Sequence, residues 1–166
     1  INLQSNFFEL NFMIYLRGEF ECSLDKQGRF LLPKGIKVQI PSENYNKFIL
    51  NKGFEKYLTL YPYPNWQIIE SQLYNLNTYV KKNVDFIRYI MSGIREVELD
   101  NTDRILIPKV LADYAELKKD IVVIGVLDRI EIWDYNKYQD FQSSKPVDMS
   151  RFAEEVMGNI EKDNNK

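Results

Sequence analysis

The sequence predicts an α+β fold of two tandem, pseudo-symmetric β-hairpin half-domains joined by connecting helices. Three observations carry that prediction. Residues 24–33 (LDKQGRFLLP) and 99–108 (LDNTDRILIP) are one ten-residue stretch used twice, 75 residues apart. Leu24/Leu99, Asp25/Asp100, Arg29/Arg104, Leu31/Leu106 and Pro33/Pro108 are identical, and Lys34/Lys109 follows in both. The same order of short apolar runs trails each copy, and two stretches of helical period lie between the copies. Self-similarity at a fixed offset decides the architecture before any single element is assigned; two copies are too few for a solenoid and are expected to pack as a pair.

Residues 1–12 lack a clear period and precede Met13, so they are taken as an N-terminal extension outside the fold. The first half is assigned to residues 13–77. Phe20, Cys22 and Leu24 alternate with Glu19, Glu21 and Ser23, the period of two of a half-buried strand. Lys26, Gln27 and Gly28 supply a turn in which Gly28 is free to take positive φ. Residues 29–32 then read as the returning strand of a hairpin, ended by Pro33, which has no N–H for a ladder. Residues 34–40 are expected to form a short helix, weakened by Gly35 and stopped by Pro41. Residues 48–50 and 58–61 are two further strands; their counterparts are 121–125 and 130–133, where the offset shortens to 73 and 72. Each half is therefore strand, turn, strand, short helix, strand, turn, strand, helix.

Trp66, Ile69, Leu73 and Leu76 recur at helical spacing behind Pro62 and Pro64. A connecting helix is assigned to residues 78–93, where Val80, Val84, Ile87 and Met91 form one apolar stripe, read as core. Phe86, Tyr89 and Ile90 add apolar surface outside the stripe, expected to bury against another subunit. The second half covers residues 94–142, with Tyr135, Tyr138 and Phe141 on its closing helix. Residues 143–166 hold a linker, a last helix that Ser150 is expected to cap, and a frayed polar end.

Composition narrows the function. The 166 residues include no histidine and one cysteine, Cys22, so neither a zinc site nor a Cys–His nucleophile pair can be assembled from this chain alone. No spacing of carboxylates suggests paired acid–base work, and no catalytic residues, metal or cofactor are expected. No apolar run approaches the roughly 20 residues that cross a bilayer, and a lone cysteine suits a reducing compartment. A cytoplasmic, non-membrane protein follows. The net charge of −2 gives no global attraction to nucleic acid, so any basic surface is local.

Each turn brings an aspartate near an arginine: Asp25 with Arg29, and Asp100 with Arg104. An exposed pair contributes only about 0–1 kcal/mol, a thin reason to use it twice. An arginine fork held by a carboxylate suits a phosphate or a guanine edge. Residues 17–41 carry Arg17, Lys26, Arg29, Lys34 and Lys37 against Glu19, Glu21 and Asp25, five minus three, or +2. Residues 94–120 carry five bases and seven acids, or −2. On that sum the first copy should dominate any contact with a phosphate backbone.

The stretches LRGEFECSLDKQGRFLLP, YPYPNW, RYIMSG, LDNTDRILIP and the closing DIVVIG…IEIWD resemble the MraZ family over residues 13–142, with the doubled D-x-x-x-R as its mark. The resemblance implies an AbrB-like swapped-hairpin topology in each half. It also implies a cytoplasmic, nucleoid-associated regulator that forms ring homo-oligomers. Such a regulator binds direct repeats in double-stranded promoter DNA of cell-division and cell-wall genes. It makes Arg29 and Arg104 the motif arginines and Arg17 that of the opening F-R-G. With them, Lys26, Lys34 and Lys37 are candidate DNA contacts, and Asp25, Gly28 and Asp100 support the motif. Two departures stand out: Asp103 replaces the glycine of the first turn, and the helix after Pro33 keeps only Lys34 and Lys37 where arginines are usual. An oligomer presenting many copies would offset weak single contacts. The alternative is a structural or partner-binding oligomer, an antitoxin-like relative of this fold in which the Asp–Arg pairs are staples. The short tail after Ser143 argues against a toxin-wrapping segment.

Overall fold

The structure, a computed structural model, describes residues 13–158. The extension assigned to residues 1–12 and the polar end after residue 160 lie outside the described residues. The chain falls into two compact units, divided between Tyr135 and Asn136.

The predicted repeat is present element for element, its last helix beginning at the division between the units. Strands β1 (Leu16–Ser23) and β2 (Arg29–Leu31), helix α1 (Lys34–Lys37), strands β3 (Phe48–Lys52) and β4 (Leu58–Pro62) and helix α2 (Tyr63–Tyr74) make the first copy. After α3 (Lys81–Met91) come β5 (Arg95–Val97), β6 (Arg104–Leu106), α4 (Lys109–Tyr114), β7 (Asp120–Leu127), β8 (Arg129–Asp134) and α5 (Tyr135–Ser143). Pro33 and Pro108 do the same work twice. Each ends a strand in extended backbone, and its carbonyl then accepts the first N–H groups of the short helix that follows.

The pairing differs from a local hairpin. β1 is laddered to β7, not to β2, and β2 is laddered to β6. The six-stranded sheet runs β1-β7-β8-β4-β3-β5, all antiparallel. Exchanging the halves (β1 with β5, β3 with β7, β4 with β8) returns the same order read backwards. The turn of each half is tight, but its two strands part company and are completed by the other half. A sequence pattern specifies which face of a strand is buried, not which partner lies beside it, so the crossover was not legible from alternation alone.

One core serves both halves. Phe30 and Ile105, Ile36 and Leu111, Leu58 and Ile130, and Leu60 and Ile132 occupy equivalent places and are all essentially fully buried. Full burial of such a side chain stabilises the fold by about 1.5–3 kcal/mol. A buried amide fastens the rim: Asn65 donates to the carbonyls of Ile14 and Asp128, each at 2.7 Å, and accepts from the Ile14 N–H at 2.8 Å.

Two expectations are corrected. The apolar stripe of α3 is not core, because the helix has no buried residue and Val80 and Met91 are 44% and 45% exposed. It meets the rest of its unit chiefly along one edge, where Asn51 donates to the Ile90 carbonyl at 3.0 Å. Beneath α2 and α3 an apolar cavity of about 340 Å³ remains open, lined by Tyr61, Trp66, Leu73 and Phe86 among others. In the second unit α6 (Met149–Met157) is capped by Asp148, whose carboxylate accepts from the Arg151 N–H at 3.0 Å, and not by Ser150. Asp148 lies three residues before that N–H, the position from which a side-chain oxygen reaches it.

Two glycines, Gly125 and Gly18, face each other across β1 and β7. A Cβ on Gly125 would lie 2.6 Å from the Arg17 nitrogen and 2.8 Å from the Leu16 carbonyl carbon, both backbone atoms that cannot swing aside. Gly125→Ala should therefore destabilise the chain by about 1–3 kcal/mol, the range for overpacking. Urea unfolding should show a lower midpoint at unchanged slope; an unaltered midpoint would mean that β1 and β7 are free to separate there.

Candidate nucleic-acid interface

The duplicated motif builds two turns of the same geometry. Asp25 N–H donates to the Arg29 carbonyl (2.8 Å) and Gly28 N–H to the Asp25 carbonyl (3.0 Å); Asp100, Arg104 and Asp103 repeat these bonds at 2.9 and 3.0 Å. The aspartate side chain closes each turn. Asp25 Oδ1 accepts from the N–H groups of Gln27 and Arg29, both at 2.9 Å, and Asp100 Oδ1 from those of Thr102 and Arg104, at 2.8 and 3.0 Å. This is the local aspartate-to-backbone bonding that favours the residue in turns. The residue before each arginine is left-handed, Gly28 at φ 81° and Asp103 at φ 59°. Replacing glycine by aspartate thus leaves the turn unchanged, since aspartate is among the few side chains that tolerate this region.

Past the turns, β2 and β6 pair around a local pseudo-dyad, with Phe30 opposite Ile105, Arg29 opposite Leu106 and Leu31 opposite Arg104. Alternation sends Phe30 and Ile105 into the core and the other four outward. The outer face of this two-stranded ribbon therefore presents two arginines and two half-exposed leucines, Leu31 and Leu106, each 51% exposed. The carbonyls of Gly28 and Asp103 extend the crossing, accepting from Ile107 and Leu32 N–H groups at 2.9 Å.

The two arginines are held differently. Arg29 Nε donates to Asp25 Oδ2 at 2.9 Å and its Nη2 to Gln27 Oε1 at 3.1 Å, while Nη1 lies 3.6 Å from Asp100 Oδ2. Arg104 does not close the matching pair: among the described residues its guanidinium has no ion pair, and Asp100 faces Arg29 instead. Lys37 is bound across the dyad, its Nζ donating to Asp103 Oδ1 at 2.7 Å. Lys26 and Lys34 are exposed near the turn and on α1, and Arg17 is exposed on β1. Two residues that pattern reading passed over hold these elements: Gln27 braces Arg29, and Gln39 joins α1 to β1. The Gln39 amide accepts from the Arg17 N–H at 3.0 Å and donates to the Arg17 carbonyl at 2.8 Å. Neither glutamine has a periodicity that would mark it.

Comparison with known proteins bears on the same motif. A family model described as "MraZ protein, putative antitoxin-like" matches residues 15–86 and again 90–158. The chain belongs to the MraZ family. It is 40% identical over 147 residues to "Transcriptional regulator MraZ" of Flavobacterium psychrophilum, covering 88% of this chain and 94% of that protein. The like-named proteins of Christiangramia forsetii and Cytophaga hutchinsonii are 38% and 36% identical, over 89% and 91% of this chain and 96% and 100% of their own. Each matched segment holds one copy of the motif, and the MraZ chain is a transcription regulator, not an enzyme. No helix among the described residues is long and apolar enough to cross a membrane.

Both turn carboxylates of this MraZ chain are held more acidic than an ordinary aspartate. The Arg29 N–H first, and then the Arg29 side chain and the Gln27 N–H, draw the Asp25 pKa below its ordinary 3.8. The Thr102 hydroxyl first, then the Arg104 N–H, do the same for Asp100. A carboxyl more acidic folded than unfolded contributes stability above its unfolded pKa and loses it as the pH falls through the lowered value. The turns should therefore weaken below about pH 3.8. The double variant Asp25→Asn, Asp100→Asn keeps an acceptor oxygen at each turn but removes the titration. Its urea midpoint should fall less than that of the native chain between pH 7 and pH 3; equal falls would show that these two groups do not set the acid response.

Proposed function

We propose that this chain is a sequence-specific, double-stranded-DNA-binding regulator. On this reading it binds repeated promoter elements of cell-division and cell-wall genes, as a cyclic homo-oligomer in the nucleoid-associated cytoplasm. One observation carries the reading. Both turns are closed through the backbone N–H of residues 29 and 104, a bond any amino acid except proline could make, yet both positions are arginine and both face outward from the ribbon. A staple would need only the aspartates. A two-stranded ribbon is narrow enough to enter the major groove, where an arginine fork reads guanine and its neighbours meet phosphates.

Self-association has its own support. Tyr74, Phe86, Tyr89 and Met91 are 89%, 43%, 76% and 45% exposed on α2 and α3, large apolar side chains that a partner would take out of water. A second copy of the chain is the covering partner this reading assigns. The partner-binding alternative is separated by salt, because phosphate contacts release counterions and apolar association does not.

Titration against a duplex from the chain's own upstream region and a random duplex, at two salt concentrations, tests the reading. Affinity should fall with salt by about 0.9 log unit per log unit for each phosphate contacted. Arg29→Lys keeps the charge and loses the fork, so discrimination between the duplexes should drop by about 1–3 kcal/mol with little change in salt slope. Equal weakening on both duplexes would make Arg29 a phosphate contact. Light scattering should give several times the 19.8 kDa chain mass; a monomer with no salt-dependent binding would overturn the whole reading.

A further inference from the structure

The contacts across the pseudo-dyad fall into two sets. Those that hold the backbone are made twice. Leu32 and Ile107 donate to the carbonyls of Asp103 and Gly28, both at 2.9 Å, and Leu24 and Leu99 donate to Lys119 and Tyr45 of the opposite half. The ion pairs are made once. Lys37 meets Asp103 at 2.7 Å, but the places equivalent to these two, 75 residues away, hold Ala112 and Gly28, which carry no charge. Arg29 faces Asp100 at 3.6 Å, while Arg104 makes no ion pair with Asp25. Both pairs run the same way, from a cation of the first half to a carboxylate of the second.

The turn does not explain Asp103. Glycine meets the same left-handed requirement at position 28 without strain, so aspartate at 103 adds a carboxylate and nothing the backbone needs. Lys37 is positioned to receive it. Its ammonium sits 5.0 Å from the centre of the Tyr45 ring, and the Tyr45 hydroxyl donates to the Lys37 carbonyl at 3.2 Å. The lysine and aspartate side chains are 25% and 46% exposed, open enough for an incoming anion to take the place of the carboxylate. Leu31, Lys34 and Val38 surround the same shallow depression beside the ribbon.

We infer that the second repeat supplies an internal counter-charge: Asp103, with Asp100 behind it, occupies Lys37 and Arg29 in place of DNA phosphate and so lowers the affinity of the first repeat for any duplex. This rests on the DNA-binding reading above and refines it. A phosphate must displace Asp103 before Lys37 contributes, so Lys37 adds less to non-specific binding than its place beside the ribbon suggests. The second copy of the motif is then a regulator of the first as well as a reader. Its acidic sum, −2 over residues 94–120, is the means and not a defect.

Four full-length proteins test this: native, Asp103→Gly, Lys37→Ala, and the two together, titrated with a random duplex at 50 and 200 mM salt. Asp103→Gly restores the glycine of the first turn and is expected to fold; Asp103→Asn, which keeps a side chain suited to positive φ, repeats the test independently. Either change should tighten binding several-fold at the lower salt and steepen the salt slope by about 0.9, the mark of one further phosphate contact. Lys37→Ala should abolish the gain in the Asp103→Gly background. A gain that persists without Lys37 would overturn the pairing, since Asp103 would then act through its long-range field. So would native binding with neither Asp103 variant tighter. If no variant binds any duplex, the DNA reading itself falls and this inference with it.

Discussion

The rest of the fold depends on how the two turns close and where their chains go next. An aspartate oxygen bonded to two backbone N–H groups reverses the chain within five residues, and the left-handed residue before the arginine sends β2 and β6 away from the strands that precede them. Each diverted strand must then find its ladder partner elsewhere, because a bare strand edge inside the molecule would leave backbone groups unpaired. Among the described residues the strand that pairs antiparallel with β2 is its own repeat, β6. From that crossing follow the shared core, the exchange of β1 to β7, and a large sheet that reads the same from both ends.

Because the halves complete each other, neither has a core of its own. Phe30 and Ile105 sit at the centre of the crossing and are fully buried, and the surrounding pairs Ile36/Leu111 and Leu58/Ile130 are drawn from both halves. Symmetry of this kind constrains only what carries structure. The aspartates, the prolines and the buried apolar positions are held alike in both copies. Some charges at the surface are not, and there the copies diverge: glycine against Asp103, Lys37 against Ala112, and an Arg29 braced by Asp25 against an Arg104 that makes no ion pair among the described residues. A charge sum taken along the chain ranks the first copy as the more basic. The geometry shows two of its cations already facing carboxylates of the second.

Much of this was readable in the chain itself. Repeat order, strand positions and the two turns follow from alternation, glycine and proline, because those signals act over a few residues. Partner choice does not act locally, so the exchange of strands between halves was invisible to it, as was the pairing of Lys37 with Asp103, 66 residues away. The stripe on α3 is an instructive error. Helical spacing of Val80, Val84, Ile87 and Met91 says that one face is apolar, not that this chain covers it, and the helix is left with no buried residue. Of the candidate site, the arginines and their aspartates were legible by duplication. The supporting amides of Gln27 and Gln39 were not, since a single polar side chain bonded to backbone leaves no pattern in a sequence.

A chain of net charge −2 approaching DNA gains nothing from its overall field, which at physiological salt reaches only about 8 Å in any case. Attraction must arise at contact, from the few cations around the ribbon, and part of that set is already neutralised within the chain. On the proposed reading single-copy affinity is therefore weak, and an isolated site would be poorly occupied. Several copies fixed in one assembly change the arithmetic, because each engaged ribbon raises the effective concentration of the next at a neighbouring element. Repeated elements at matching spacing then gain from every copy, whereas random DNA gains from the phosphate contacts alone. On the proposed reading, weakness in the single contact thus lets spacing, and not charge, decide where the assembly sits.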